Sequence, residues 1–230
     1  MVDTIHPLFL PIAVVAAYLG MIVLISDILS RFWAVNGEIT RKVVHIGTGN
    51  VILLAWWLQI PAWVGVSASI LASIVTLVSY RLPILPGVNG IGRKSFGTFF
   101  YAVSMGILVG YFWGIHQPQY AAIGILIMSY GDGMAALIGQ RYGKHKYKVG
   151  GMTKSWEGSL TMFVISYFIC NIILIFTFGN TWQNSLISIL LAIFATGLES
   201  LSWWGIDNLT VPIGSAFIGY ALVACLLPMY

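Results

Sequence analysis

Long apolar segments recur along the chain, and they limit its fold more than any other feature. Eight of them approach the roughly 20 residues that a helix needs to cross a bilayer, and they are numbered here as spans 1 to 8: about 8–29, 43–58, 62–80, 96–115, 120–139, 158–178, 185–203 and 209–229. Only 8% of the 230 residues are charged, whereas soluble domains carry roughly 25%. The sequence therefore predicts an all-α, polytopic membrane bundle that forms a single domain over 1–230.

The basic residues are confined to the loops after spans 1, 3 and 5. These loops contain Arg31, Arg41 and Lys42, then Arg81, Arg93 and Lys94, then Arg141, Lys144, Lys146, Lys148 and Lys154. Because cytoplasmic loops are enriched in Lys and Arg, the pattern predicts that these loops are cytoplasmic and that both termini lie on the opposite side. The net charge of +4 then reflects topology, and no nucleic-acid partner is expected.

The span count depends on the short connection at 59–61 between spans 2 and 3. If only one of these two segments crossed the bilayer fully, the later spans would change sides and the segregation of charge would be lost. The charge pattern therefore favours about eight transmembrane helices, with seven as the alternative.

Four carboxylates fall toward the predicted cytoplasmic face: Asp132, Glu157, Glu199 and Asp207. An acidic group at a span centre costs roughly 2.5–3.5 kcal/mol, so acids retained there usually mark function. Asp132 lies well inside span 5 and is the strongest candidate. Glu157 and Asp207 begin spans 6 and 8, where stabilisation of a helix N-terminus is an alternative role.

Carboxylates beside lysines and arginines suit a magnesium-bound phosphate. Mg²⁺ prefers one or two carboxylates plus phosphate oxygens, and basic side chains neutralise the remaining phosphate charge. The pattern predicts nucleotide or phosphoryl chemistry at the cytoplasmic interface with a lipid-soluble co-substrate. Lys154 is the expected phosphate partner near Glu157, and Lys144 reaches the same phosphate only if the chain breaks near Gly139 or Gly143. His45, four residues after Arg41, is either a buried structural histidine or a phosphate contact or proton shuttle.

Several motifs resemble the CTP-dependent polyprenol kinase family, which includes dolichol, phytol and farnesol kinases. They cover about 38–212 in order and leave span 1 without a signature. The motifs are Glu38 with Arg41-Lys-Val-Val-His45, Gly92-Arg-Lys-Ser-Phe-Gly-Thr98, Gly131-Asp-Gly-Met-Ala-Ala, Gly139-Gln-Arg-Tyr-Gly-Lys-His, Lys154-Ser-Trp-Glu-Gly-Ser159, and Glu199 with Asp207-Asn-Leu-Thr-Val-Pro212. The short chain looks most like the bacterial and plastid phytol kinase branch.

The resemblance implies phosphoryl transfer from CTP, or another nucleoside triphosphate, to an isoprenoid alcohol, with phytol first. Phytyl phosphate would supply tocopherol or related prenyl-lipid synthesis in a bacterial, possibly cyanobacterial, plasma or thylakoid membrane. Asp132 and Glu157 would hold Mg²⁺, and Glu199 or Asp207 would complete the site or accept the hydroxyl proton. The expected nucleotide and phosphate contacts are Arg41, Lys42, His45, Arg93, Lys94, Lys144, Lys154, Ser155 and Asn208.

Two other functions compete with this interpretation. A phosphatidate cytidylyltransferase has a run resembling Lys154-Ser-Trp-Glu-Gly158, but Asp207-Asn208 stands where its terminal signature is expected. A small transporter could use the intramembrane acids as an ion path, but such a path needs polar groups in both halves of the membrane. The outer halves of the spans contain almost none, which disfavours transport.

Overall fold

The computed structural model describes residues 6–32, 37–80, 96–201 and 204–227 and is dominated by helices. In chain order the helices are α1 (His6–Phe32), α2 (Gly37–Gly49), α3 (Val51–Trp57), α4 (Ala62–Ser79), α5 (Gly97–Gly114), α6 (Pro118–Leu126), a π-helix (Ile127–Asp132), α7 (Gly133–Tyr142), α8 (Trp156–Phe178), α9 (Trp182–Ser200) and α10 (Asp207–Leu226). Every predicted span coincides with helical structure, which confirms the all-α membrane bundle.

Within the described residues, six helical segments are long and apolar enough to cross a bilayer. They are Leu8–Leu29, Ala62–Ser79, Gly97–Gly114, Pro118–Tyr142, Trp156–Phe178 and Asp207–Leu226. Span 2 is divided between α2 and α3 at Asn50, and span 7 corresponds to α9. The count of eight crossings and the sides of the termini therefore remain predictions.

A central rod, formed by α6, the π-helix and α7, organises the bundle. It packs against α2, α5, α8 and α10, and every residue of α6 from Gln119 to Leu126 is buried. Close approach explains the glycine at position 124, because a Cβ there would lie 2.2 Å from the main-chain oxygen of Pro212 on α10. Small residues let membrane helices pack backbone to backbone in this way.

The basic segment between α7 and α8 folds as a β-hairpin, which the span-based prediction does not include. Strands β1 (Lys146–Val149) and β2 (Met152–Ser155) pair antiparallel, with Val149 opposite Met152. The turn uses Gly150 and Gly151 with positive φ angles of 53° and 82°, which glycine adopts without a Cβ clash. The hairpin returns the chain toward the bundle before α8 begins.

Helices α1 and α4 lie at the periphery. Helix α1 packs on α2 and α3, whereas α4 packs on α5. Their outer faces carry exposed apolar side chains, among them Phe9, Leu24, Ile70 and Leu71. Such faces suit contact with lipid tails, and the two helix groups enclose an apolar cavity between them.

Candidate active site

Asp132 is the last residue of the π-helix that interrupts the central rod. Single π-turns inside α-helices are uncommon and frequently accompany functional sites. The side chain of Asp132 is only 13% exposed and faces α2, where Lys42 Nζ donates to its Oδ2 at 2.6 Å. The Lys42 side chain is itself 5% exposed, so this is a buried ion pair.

His45 lies one turn beyond Lys42 on the same face of α2. Its Nε2 is 3.9 Å from Asp132 Oδ2, and this buried atom has no hydrogen-bond partner among the described residues. The imidazole packs against the Tyr101 ring, with centroids 4.6 Å apart. Tyr101 in turn hydrogen-bonds Ser129 at 2.6 Å. The histidine ring is thus held in place while one nitrogen stays available for a ligand.

The hairpin brings Lys154 to the C-terminal end of α9. Lys154 Nζ donates to the Glu199 side chain and, at 3.1 Å, to the Glu199 main-chain oxygen. Burial by itself lowers the pKa of Lys154. The Glu199 carboxylate, with the charges of Asp132 and Asp207, outweighs burial and leaves the pKa above its usual value. Lys154 therefore stays protonated at physiological pH.

Asp207 lies in the first turn of α10, where its Oδ1 accepts hydrogen bonds from the Asn208 main-chain N–H at 3.0 Å and from Asn208 Nδ2 at 3.1 Å. The Asn208 side chain also donates to the Gly205 main-chain oxygen at 3.2 Å. We refer to Lys42, Asp132, Lys154, Glu199 and Asp207 as the lysine–carboxylate cluster. It places positive and negative groups from five separate elements of the chain beside one another.

Glu157 has different neighbours from Asp132. Its Oε1 contacts His145 Nδ1 at 2.8 Å and accepts the His145 main-chain N–H at 3.2 Å. Ser155 is the N-cap of α8, because its hydroxyl accepts the Gly158 N–H at 3.2 Å. Both residues thus stabilise the junction of hairpin and helix. In the described part of the chain, no three His, Cys, Asp or Glu side chains form a metal-binding group. A Mg²⁺ shared by Asp132 and Glu157 stays a prediction.

The remaining predicted contacts are distributed unevenly. Arg41 lines the apolar cavity together with Lys42 and His45. The helix before Lys144 ends at Tyr142, so the chain leaves the helix at Gly143, which is the break that Lys144 needs in order to reach the phosphate. The Lys144 side chain is nevertheless exposed. Arg93 and Lys94 lie outside the described residues.

The apolar cavity has a volume of about 390 Å³, and two members of the lysine–carboxylate cluster, Lys42 and Asp132, line one end of it. Its polar end is formed by Lys42, His45, Thr98, Tyr101, Asp132 and Asn208. Sequence reasoning missed the cavity, Tyr101 and Ser129. Tyr101 lies one helical turn after Thr98, where a recognised motif ends, but its role depends on a contact between helices that local sequence patterns do not reveal.

The donor set fits a metal-bound phosphate. The cluster offers carboxylates, of which Mg²⁺ needs one or two alongside phosphate oxygens, and lysines that offset phosphate charge. The unpaired His45 Nε2 provides a further polar atom at the same end of the cavity. This arrangement can hold a polyphosphate beside an apolar molecule.

The chain is similar in sequence to known phytol kinases. A phytol kinase from Synechocystis is 52% identical over 215 residues, which cover 94% of this chain and 92% of that protein. The chloroplastic phytol kinase 1 of Arabidopsis thaliana is 27% identical, with 86% of this chain and 71% of that protein covered. No protein-family model and no solved structure matches the chain. The chain therefore belongs to the phytol kinase branch of the polyprenol kinase family, as its motifs indicated.

Proposed function

We propose that this chain is a membrane kinase that transfers the terminal phosphoryl group of CTP, or of another nucleoside triphosphate, to the hydroxyl group of phytol. The main support is the position of the lysine–carboxylate cluster at the polar end of an apolar cavity. This arrangement matches a substrate with a hydrocarbon chain and a co-substrate with phosphates. Membership of the phytol kinase branch favours phytol, and the motif resemblance favours CTP. The product would supply tocopherol or related prenyl-lipid synthesis.

Phosphoryl transfer demands mainly positioning and charge neutralisation from the protein. Lys42 and Lys154 would offset charge on the nucleotide phosphates. The alcohol oxygen attacks the terminal phosphorus, the bond from that phosphorus to the bridging oxygen breaks, and the nucleoside diphosphate leaves. His45 Nε2 can accept the hydroxyl proton directly, because it is unpaired and buried at the polar end of the cavity. Asp132, 3.9 Å away, would stabilise the resulting imidazolium.

Mg²⁺ on the phosphates would supply further neutralisation of the transferred group. Asp132 is the proposed first ligand because it lies in the cluster and at the polar end of the cavity. Glu199 or Asp207 is available nearby. Glu157 is proposed as a second Mg²⁺ ligand because of its place in the motif. This role requires the Glu157 carboxylate either to leave His145 or to contact His145 and the metal ion together.

Purified protein in liposomes, supplied with terminally labelled CTP and phytol, tests the function. The label should move to phytol, and Asp132→Asn should abolish the transfer while the variant still inserts into the membrane, although the loss of the Lys42 partner lowers its free energy of unfolding. Asp27→Asn on α1, another carboxyl-to-amide change, is the matched control and should retain activity, since Asp27 does not line the cavity. Pyrophosphate release with a cytidylyl lipid formed from phosphatidate would instead identify a CDP-lipid synthase. Transfer to no acceptor would favour transport.

We propose that the active site faces the cytoplasm of a bacterial cell, at its plasma or thylakoid membrane. The confinement of Lys and Arg to three loops supports this orientation. Single cysteines at the exposed positions Lys148 and Asn180, in a Cys225→Ser background, should react with a membrane-impermeant maleimide from opposite sides. Labelling of Lys148→Cys in intact cells would contradict the orientation.

A further inference from the structure

The apolar cavity extends well beyond the phosphate site. Its wall follows α5 from Tyr101, at the polar end, to Trp113 near the opposite end of the same helix. Twelve residues separate these positions, which corresponds to about 18 Å of helix. That is more than half of a hydrocarbon core about 30 Å thick. A space of this length suits an extended chain lying along the helix axis.

The lining changes from polar to apolar along this length. Beyond Tyr101 the wall is mostly apolar, with residues such as Val51, Ala55 and Val109, and Ser69 adds a hydroxyl group beside Gly106. A hydrocarbon tail can lie against this wall without leaving a polar group unpaired, whereas a polar ligand would lose its hydrogen-bond partners there. The occupant that this gradient matches has a polar head and a long hydrocarbon tail.

A specific contact joins two residues at the far end of the cavity. Trp113 Nε1 donates to the main-chain oxygen of Ile60 at 3.0 Å, and both residues line the cavity. Ile60 is buried in the tight turn between α3 and α4, where Gln59 has a positive φ of 51°. The hydrogen bond joins this turn to α5, so the indole forms a fixed end wall.

We propose that this cavity binds the hydrocarbon chain of the alcohol substrate, and that the Trp113–Ile60 wall limits how long that chain can be. The hydroxyl group lies at Asp132 and His45, and the chain end lies at Trp113. This inference rests on the proposed kinase function and adds to it the residues that determine chain-length specificity. A membrane-lipid acyl chain is the competing occupant, and the experiments below separate the two.

Two substitutions change the cavity in opposite directions. Trp113→Ala removes the end wall, and Ala68→Leu adds bulk on α4, about 12 Å along the helix from Thr76 near the polar end. The matched controls lie outside the cavity lining and are exposed. Trp57→Ala removes an indole close in sequence to the same turn, and Ser67→Leu adds bulk to the adjacent position on α4.

The measurement is kcat/KM for farnesol, phytol and a longer polyprenol with each variant. Ala68→Leu should lower the phytol-to-farnesol ratio by at least about tenfold, because even one methylene in an apolar pocket is worth about that factor. Trp113→Ala should raise the ratio of the longer polyprenol to phytol by a similar factor. Both controls should keep the wild-type ratios. Equal changes for all alcohols, or unchanged ratios, would overturn the inference while leaving the kinase function intact.

A photolabelling experiment locates the chain without requiring turnover. A phytol analogue with a diazirine at its chain end should label the turn at Ile60 or the end of α5 near Trp113. An analogue with the diazirine next to the hydroxyl should label the region of His45 or Tyr101. Excess phytol should suppress both labels, and a phospholipid at the same concentration should not. Labels on the outer faces of α8 or α9, or suppression by the phospholipid alone, would overturn the assignment. If labelling succeeds but no alcohol is phosphorylated, the proposed function fails and the binding site stands.

Discussion

The buried pair of Lys42 and Asp132 offers the sharpest test of how the site is held together. At 2.6 Å and an effective dielectric constant of about 20, the Coulomb attraction is about 6 kcal/mol. Most of it is offset by the several kcal/mol needed to remove each ion from water. The pair therefore contributes little net stability, but the loss of one partner leaves a buried, uncompensated charge. Such losses cost about 3–5 kcal/mol.

We expect Lys42→Met to lower the free energy of unfolding by about 3 kcal/mol or more, because the Asp132 carboxyl group, at 13% exposure, loses its charged partner inside the protein. The double variant Lys42→Met with Asp132→Asn removes both charges and should regain most of this loss. Neither variant should be active, since both remove groups of the proposed site. Stability and activity should thus separate in the double variant.

Equilibrium unfolding in mixed micelles with increasing dodecyl sulfate measures the free energies. Lys148→Met is the control, because Lys148 is exposed on β1 and surface substitutions usually change stability by about 0.5 kcal/mol or less. The reasoning is refuted if Lys42→Met costs no more than Lys148→Met. It is also refuted if the losses of the two single variants simply add in the double variant.

Three further predictions concern the metal, the helix packing and the response to pH. Glu157→Gln should raise the Mg²⁺ concentration needed for half-maximal activity more than His145→Ala does, because only the first variant removes a proposed metal ligand. Equal effects of the two variants in the Mg²⁺ titration would show that Glu157 only stabilises the hairpin junction. Gly124→Ala should destabilise the bundle by about 1–3 kcal/mol in the same unfolding assay, because its Cβ would lie 2.2 Å from a main-chain oxygen. Gly197→Ala is the control and should be neutral or stabilising, because no atom lies within 4 Å of the added Cβ. The raised pKa of Lys154 means that its ion pair stabilises the fold fully below pH 10.5, the ordinary pKa of lysine, and is lost only above it. Between neutral pH and about pH 10, unfolding should therefore show no loss of stability attributable to Lys154. A transition in this range that the wild type shows and Lys154→Met lacks would contradict this.

Much of the site was predictable because its chemistry is unusual for a membrane segment. A carboxylate such as Asp132 inside an apolar span is costly, and this cost alone indicates a functional role. The i, i+4 spacing of Arg41 and His45 correctly placed both on one side of α2, and both line the cavity. The role of Glu157 was harder to predict, because an acid at a helix N-terminus fits a ligand and a structural contact equally well.

The pairing of charges could not be predicted, because the partners are far apart in sequence. Lys42 and Asp132 are 90 residues apart, and Lys154 and Glu199 are 45 residues apart. Local spacing reports which residues share a helix face, but it does not report which helix that face meets. The spacing of Lys154 and Glu157 predicted a phosphate contact near Glu157, but it carried no sign of the ion pair with Glu199.

The sequence by itself determined that the chain is an all-α membrane protein, that its Lys and Arg residues gather in three loops, and that its motifs resemble those of polyprenol kinases. These properties follow from hydropathy and from local spacing, which each segment carries independently. The tertiary structure alone decided the lysine–carboxylate cluster, the β-hairpin that delivers Lys154, and the cavity that ends at Trp113. A cavity is the volume that packed helices leave unfilled, so it depends on all of their contacts at once and on no single segment.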